Sequence, residues 1–125
     1  MGKRSDFKRV ARDYYPTPIK AVYPLIQSET FKQFVSEHKN GYIEPCAGDG
    51  RLVLHINSLH GPSCLGMYDI EPRSPIITEK EILSLTQEDF RDSDYVITNP
   101  PWDRKLLHPL ISHIIGLNKS AWLLS

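Results

Sequence analysis

The residues with the plainest chemical meaning are Asn99-Pro100-Pro101-Trp102. They follow the run Tyr95 to Thr98, which reads as a buried strand. Two prolines directly after a strand stop its hydrogen-bond ladder and fix the backbone. They are expected to point the Asn99 side chain and the Pro100 carbonyl outward as two acceptors. An aromatic amino group has two N–H donors and a lone pair delocalised into the ring. Two fixed acceptors hold both N–H groups and favour a more tetrahedral, nucleophilic nitrogen. This is stabilisation of a changing charge by preorganised dipoles, with orientation for in-line attack. Trp102 offers a flat face for a base. The plainer alternative is a Pro-Pro turn with a core tryptophan.

Three more polar clusters close other proposed strands. Glu44 opens the loop Pro45-Cys46-Ala47-Gly48-Asp49-Gly50. Gly48 and Gly50 permit a tight turn and close approach of a ligand to the backbone. The spacing is neither G-x-G-x-x-G nor a P-loop. Two acids, Glu44 and Asp49, would repel a pyrophosphate; they suit a ligand with positive charge and hydroxyls. Asp69, with Ile70 after it, ends the second proposed strand, where an acid can accept from two ribose hydroxyls. Glu71 is a weaker candidate. Asp89 could accept from an adenine amino group while Phe90 packs on the ring.

Elements that would position these clusters can be read along the chain. Thr17 is expected to N-cap a helix that starts with Pro18. Ile19, Val22, Tyr23 and Ile26 mark its apolar face, and Pro24 should kink or shorten it. A second helix carries Phe31, Phe34 and Val35 and stops at Lys39-Asn40-Gly41. Strands are expected at Gly41 to Glu44, Ser63 to Asp69, Ile82 to Leu85, Tyr95 to Thr98 and Ala121 to Leu124. Helices are expected from Arg51 to Ser58 and across Leu106, Leu107, Leu110, Ile111, Ile114 and Ile115. Pro109 should lie near the start of that last helix or kink it. Strands alternating with helices predict a parallel α/β sheet. In such a sheet ligands bind beyond the carboxyl ends of the strands, which is where all four clusters fall.

The chain has 125 residues, which suits one domain. Fifteen Lys+Arg balance fifteen Asp+Glu, so blanket affinity for nucleic acid is not expected. A basic arm over residues 1–13 (Lys3, Arg4, Lys8, Arg9, Arg12), with Arg104 and Lys105, supplies candidate phosphate contacts. Apolar runs are too short to span a membrane. Two cysteines and no apolar leader predict a reducing, cytoplasmic setting. His108 and His113 lack partners at ligand spacing, so no metal site is expected.

Taken together, the four clusters resemble S-adenosylmethionine-dependent amino-methyltransferases of the Rossmann-like class, in particular DNA adenine-N6 methyltransferases of bacterial and phage type. Tyr14-Tyr15-Pro16-Thr17-Pro18 looks like that family's upstream motif, which helps hold the methionine end of the cofactor; this implies Tyr15 and Thr17 as cofactor residues. Glu44 to Gly50 resembles its glycine loop. Asp69 is similar to its ribose-binding acid, Asp89-Phe90 to its adenine-binding pair, and Asn99-Pro100-Pro101-Trp102 to its catalytic tetrapeptide. The acidic loop then has a partner, since S-adenosylmethionine carries a sulfonium and an ammonium and no phosphate.

The resemblance covers residues 14–125 and implies a mostly parallel sheet with helices on both faces. The family usually has seven strands and a target-recognition region, so the chain reads as truncated after the fifth strand. The implied function is methyl transfer to an exocyclic amine, adenine N6 in DNA being favoured. Alternatives are an RNA-base or protein-glutamine N-methyltransferase, or a non-catalytic, truncated or split cofactor-binding module. The expected partners are a nucleic acid, and a second copy or partner chain that completes the sheet at the apolar edge Trp122-Leu123-Leu124.

Overall fold

The computed structural model describes residues 16–124; the basic arm and Tyr15 lie outside them. Two helices open the described chain, α1 (Ile19–Gln27) and α2 (Glu29–Glu37). Ser28 joins them: it closes α1, and its side chain accepts from the Phe31 amide to cap α2. Then follow β1 (Tyr42–Glu44), α3 (Arg51–Ser58), β2 (Cys64–Asp69) and β3 (Thr78–Glu79). A 3₁₀ turn (Ile82–Ser84) and the short α4 (Gln87–Phe90) lead into β4 (Tyr95–Thr98). The last elements are α5 (Arg104–Gly116) and β5 (Ser120–Leu123).

The five strands form one sheet in the order β3-β2-β1-β4-β5, and every pairing is parallel. From β1 the chain builds outward through β2 to β3, then returns to the other side of β1 with β4 and β5. The strand order therefore reverses between β1 and β4, a crevice-forming switch point in open α/β sheets. β1 and β4 are buried along their whole length, as strands covered on both faces must be.

Side-chain alternation divides the core into two layers. Tyr42, Tyr95 and Ile97 face α1, α2 and α3, packing with Val22, Leu25, Phe31, Leu52, Val53 and Ile56. Ile43, Tyr68 and Val96 face the opposite layer, with Ile82, Leu85, Phe90, Leu110 and Ile114. Helices thus cover both faces. Edge-to-face contacts of Phe31 with Trp122 (5.0 Å) and of Phe34 with Tyr95 (4.9 Å) bind α2 to β5 and β4.

Three expectations are corrected here. Ile82 to Leu85 is not a strand: Ile82 and Leu85 both enter the same core layer, and that three-residue spacing needs a helical turn, not alternation. The third strand lies earlier, at Thr78–Glu79. Thr17 does not cap α1: Pro18 occupies the N-cap position, and the Thr17 hydroxyl is engaged elsewhere. Pro24 does not shorten α1, which continues to Gln27.

Gly41 turns the chain into β1 with φ +102°, and a Cβ there would lie 2.4 Å from the Ser63 carbonyl oxygen. That same oxygen accepts the Tyr42 amide. Gly41→Ala should therefore destabilise the fold by about 2–4 kcal/mol, combining a left-handed backbone with a backbone clash. The urea-unfolding midpoint reads this directly. Among the described residues, no helix is long and apolar enough to cross a membrane.

Candidate functional site

Parallel pairing brings the ends of all strands to one edge of the sheet, so Glu44, Asp69 and Asn99 share that edge. Glu44 sits at its centre, on the last residue of β1, and is fully buried. Its Oε1 accepts from the Cys46 amide and from the Thr98 hydroxyl, each at 2.7 Å. Among the described residues nothing reaches its Oε2. Burial pushes the carboxyl up to about 8, against the two bonds it accepts; the Asp69 charge adds to the rise. A buried acid with one oxygen unmatched is costly unless it stays protonated or meets a partner.

The glycine loop is folded by these acids. Gly48 (φ +60°) and Gly50 (φ +86°) take the left-handed backbone that glycine allows. The Gly48 amide donates to Asp69 Oδ2 at 2.8 Å, and Asp49 accepts from the Arg51 amide at 2.9 Å. The Ala47 amide donates to the Tyr68 carbonyl, and Gly50 donates to Ala47. The amides of Cys46, Ala47, Gly48, Gly50 and Arg51 are therefore all spent inside the protein, three of them on carboxylates. A phosphate-binding loop works the other way, holding its amides open toward the anion. This loop instead presents acids: Asp49 is paired with the Arg51 guanidinium at 3.2 Å, Asp69 lies at its rim, and Glu44 lies protonated beneath it up to about pH 8.

Asp69 bridges the loop and the following turn, since Oδ1 accepts the Glu71 amide at 2.8 Å. Burial raises its carboxyl above the ordinary range, opposed by those two amides. Ile70 follows it, half-buried, at the same edge. Pro45 is buried in the loop, and Cys46 is half-buried beside Glu44. Burial raises the Cys46 thiol well above its usual range, and both Cys46 and Cys64 are unpaired thiols.

Asn99 follows β4 immediately, one residue after the Thr98 that holds Glu44. Its side-chain amide donates to Thr17 Oγ1 at 3.2 Å, and Thr17 is itself buried. Pro100 is buried and Pro101 half-buried, while Trp102 is 50% exposed. Trp102 is thus an open aromatic face, not a core residue. Asp103 then caps α5 by accepting from the Lys105 amide, leaving Arg104 and Lys105 exposed at the helix start.

Asp89 and Phe90, expected to hold an adenine, lie outside this cluster, and their side chains are engaged within the fold. The Phe90 ring is 0% exposed and packs with Tyr68, Leu85 and Val96, so it has no face to offer a ligand. Asp89 closes the turn into α4 by accepting from Thr86, and its other oxygen takes the Lys80 ammonium at 2.8 Å. Burial works to raise the Asp89 carboxyl, but the Lys80 and Thr86 bonds outweigh it and hold it below the usual range.

Reading the chain in one dimension missed Thr98 and the Thr17–Asn99 bond. The signal for Thr98 was its place next to Asn99 on a strand that pairs with β1. A cleft of about 220 Å³ lies away from this edge, lined by Cys64, Met67, Tyr68, Ile76, Thr78 and Arg91 among others. It opens where β3 covers only the end of β2, and it holds no carboxylate. The candidate residues named above lie at the strand-end cluster instead. Among the described residues no group of three His, Cys, Asp or Glu is placed to hold a metal ion.

The structure defines a class: an open, all-parallel α/β sheet of Rossmann-like strand order with an acidic edge at its switch point. Comparison of the chain with protein-family models, curated proteins and solved structures finds no match.

Proposed function

We propose that this chain binds S-adenosylmethionine at the acidic strand-end cluster and serves methyl transfer to an exocyclic amino group, adenine N6 in DNA being the favoured acceptor. The observation that carries this reading is the glycine loop whose amides are consumed by Glu44, Asp49 and Asp69. Such a loop disfavours a pyrophosphate and favours a ligand that brings cationic groups and hydroxyls. Bound there, the cofactor would supply an electrophilic methyl group on a sulfonium.

The chain's own residues then have distinct tasks. Glu44, with its unmatched buried oxygen, accepts a cationic donor. Asp69 keeps lone pairs for hydroxyls while its other contacts hold the loop. Asn99 and the Pro100 carbonyl accept the two N–H groups of the target amine and direct its lone pair forward. Trp102 lies open beside them to support a planar base. An adenine in a duplex would have to leave the stack to reach this edge.

The direct test is calorimetric titration with S-adenosylmethionine and, separately, with NAD. Saturable binding of the first alone is expected; binding of NAD alone, or of neither, would overturn the reading. Asp69→Ala should weaken binding of S-adenosylmethionine by about 1–3 kcal/mol through loss of a hydroxyl acceptor.

A further inference from the structure

Thr17 was expected to start a helix or to hold the cofactor. Its hydroxyl caps no helix in the structure: it accepts from the side-chain amide of Asn99 at 3.2 Å, across 82 residues of sequence. Thr17 is only 7% exposed, while Asn99 is half-buried, so the bond is partly shielded from water. Pro16 and Pro18 on either side restrict the backbone that carries it.

The consequence follows from the chemistry of a primary amide. Asn99 has one acceptor oxygen and one NH₂ donor group at opposite corners. Only the oxygen can accept from a target amine; the NH₂ group would meet it donor to donor. A half-turn of the side chain exchanges the two at little steric cost. A hydroxyl can bond either corner, and in the structure Thr17 holds the NH₂ group, which leaves Oδ1 as the atom free to face the acceptor.

We infer that Thr17 is a positioning residue: its buried hydroxyl holds the Asn99 NH₂ group and thereby presents Asn99 Oδ1 to the amine to be methylated. This rests on the methyl-transfer reading for its catalytic meaning, while the orientation itself is a property of the chain alone. Thr98, the residue before Asn99, donates its own hydroxyl to Glu44, so the end of β4 is held on both sides. The segment before α1 thus acts on the tetrapeptide after β4, not merely on the bound ligand.

Thr17→Val keeps the side-chain shape and removes the hydroxyl; Thr17→Ser keeps the hydroxyl. In the full chain, Thr17→Val should lower methyl-transfer turnover at saturating cofactor by about tenfold to a hundredfold. Its calorimetric affinity for S-adenosylmethionine should stay within about threefold of wild type, and Thr17→Ser should restore turnover. The NH₂ resonances of Asn99, assigned by their loss in Asn99→Asp, should move in Thr17→Val and return in Thr17→Ser. Unchanged turnover, or a loss confined to cofactor affinity, would overturn the inference. If the wild-type chain transfers no methyl group, the proposed function fails, and the resonances alone decide the orientation: unmoved in Thr17→Val, they overturn it as well.

Discussion

Asn99→Ala should lower methyl transfer by about 10²–10³-fold, the cost of removing one preorganised polar partner from a developing charge. The same variant should bind S-adenosylmethionine nearly as wild type does, because the acidic loop and Asp69 remain intact. The split is what distinguishes a group that acts on the acceptor amine from one that holds the cofactor. Turnover with saturating cofactor and calorimetric affinity read the two sides separately. The fold should tolerate the change: Asn99 lies beyond the end of β4, and among the described residues its side chain bonds to Thr17. Equal losses of affinity and turnover would place Asn99 in the cofactor pocket instead.

Glu44→Gln should change two pH profiles at once. The folded chain holds the Glu44 proton up to about pH 8, whereas an exposed carboxyl gives it up near 4.5. The folded state therefore binds the proton more tightly than the unfolded state. Stability is then greatest below about pH 4.5 as far as this group is concerned, and declines as pH rises toward 8. Glu44→Gln should abolish that decline and be more stable than wild type at pH 8, by several kcal/mol at most. Binding runs the other way. A cationic ligand group needs the carboxylate, so it must displace the proton below pH 8. Wild-type affinity for S-adenosylmethionine should accordingly rise by nearly tenfold from pH 6 to pH 7. In Glu44→Gln the affinity should be weaker and nearly flat over that range. A more stable variant that binds worse is the signature of a residue kept for its ligand.

Much of the architecture was legible because buried strands and amphipathic helices have periods that local sequence reveals. Tyr95 to Thr98 and Arg51 to Ser58 fall where expected, and β1, β2 and β5 lie within a residue of their expected bounds. Thr78–Glu79 was not legible, since two exposed residues carry no alternation; only the neighbouring β2 makes them a strand. Ile82 to Leu85 misled because a short apolar run suits a strand and a turn equally. Strand-end positions of Glu44, Asp69 and Asn99 were readable, as polar residues that end apolar runs. What Thr17 and Asp89 do was not. Thr17 has the type of a helix cap and spends its hydroxyl on Asn99, while Asp89 has the type of a ligand acceptor and spends its carboxylate on Thr86 and Lys80. Such competition is settled by residues far along the chain, and local pattern does not carry it.

Methyl transfer at the strand-end cluster is tested most directly by incubating the chain with isotopically methyl-labelled S-adenosylmethionine and a duplex DNA rich in adenine, an RNA of the same sequence, or a glutamine-containing peptide. Mass spectrometry of the digested products locates the label. The expected result is label on adenine N6 of the DNA, lost in Asn99→Ala. Label on the RNA base or the glutamine amide alone would keep the transfer chemistry and replace the acceptor. No label on any of the three at saturating cofactor would contradict the claim that the strand-end cluster transfers methyl groups.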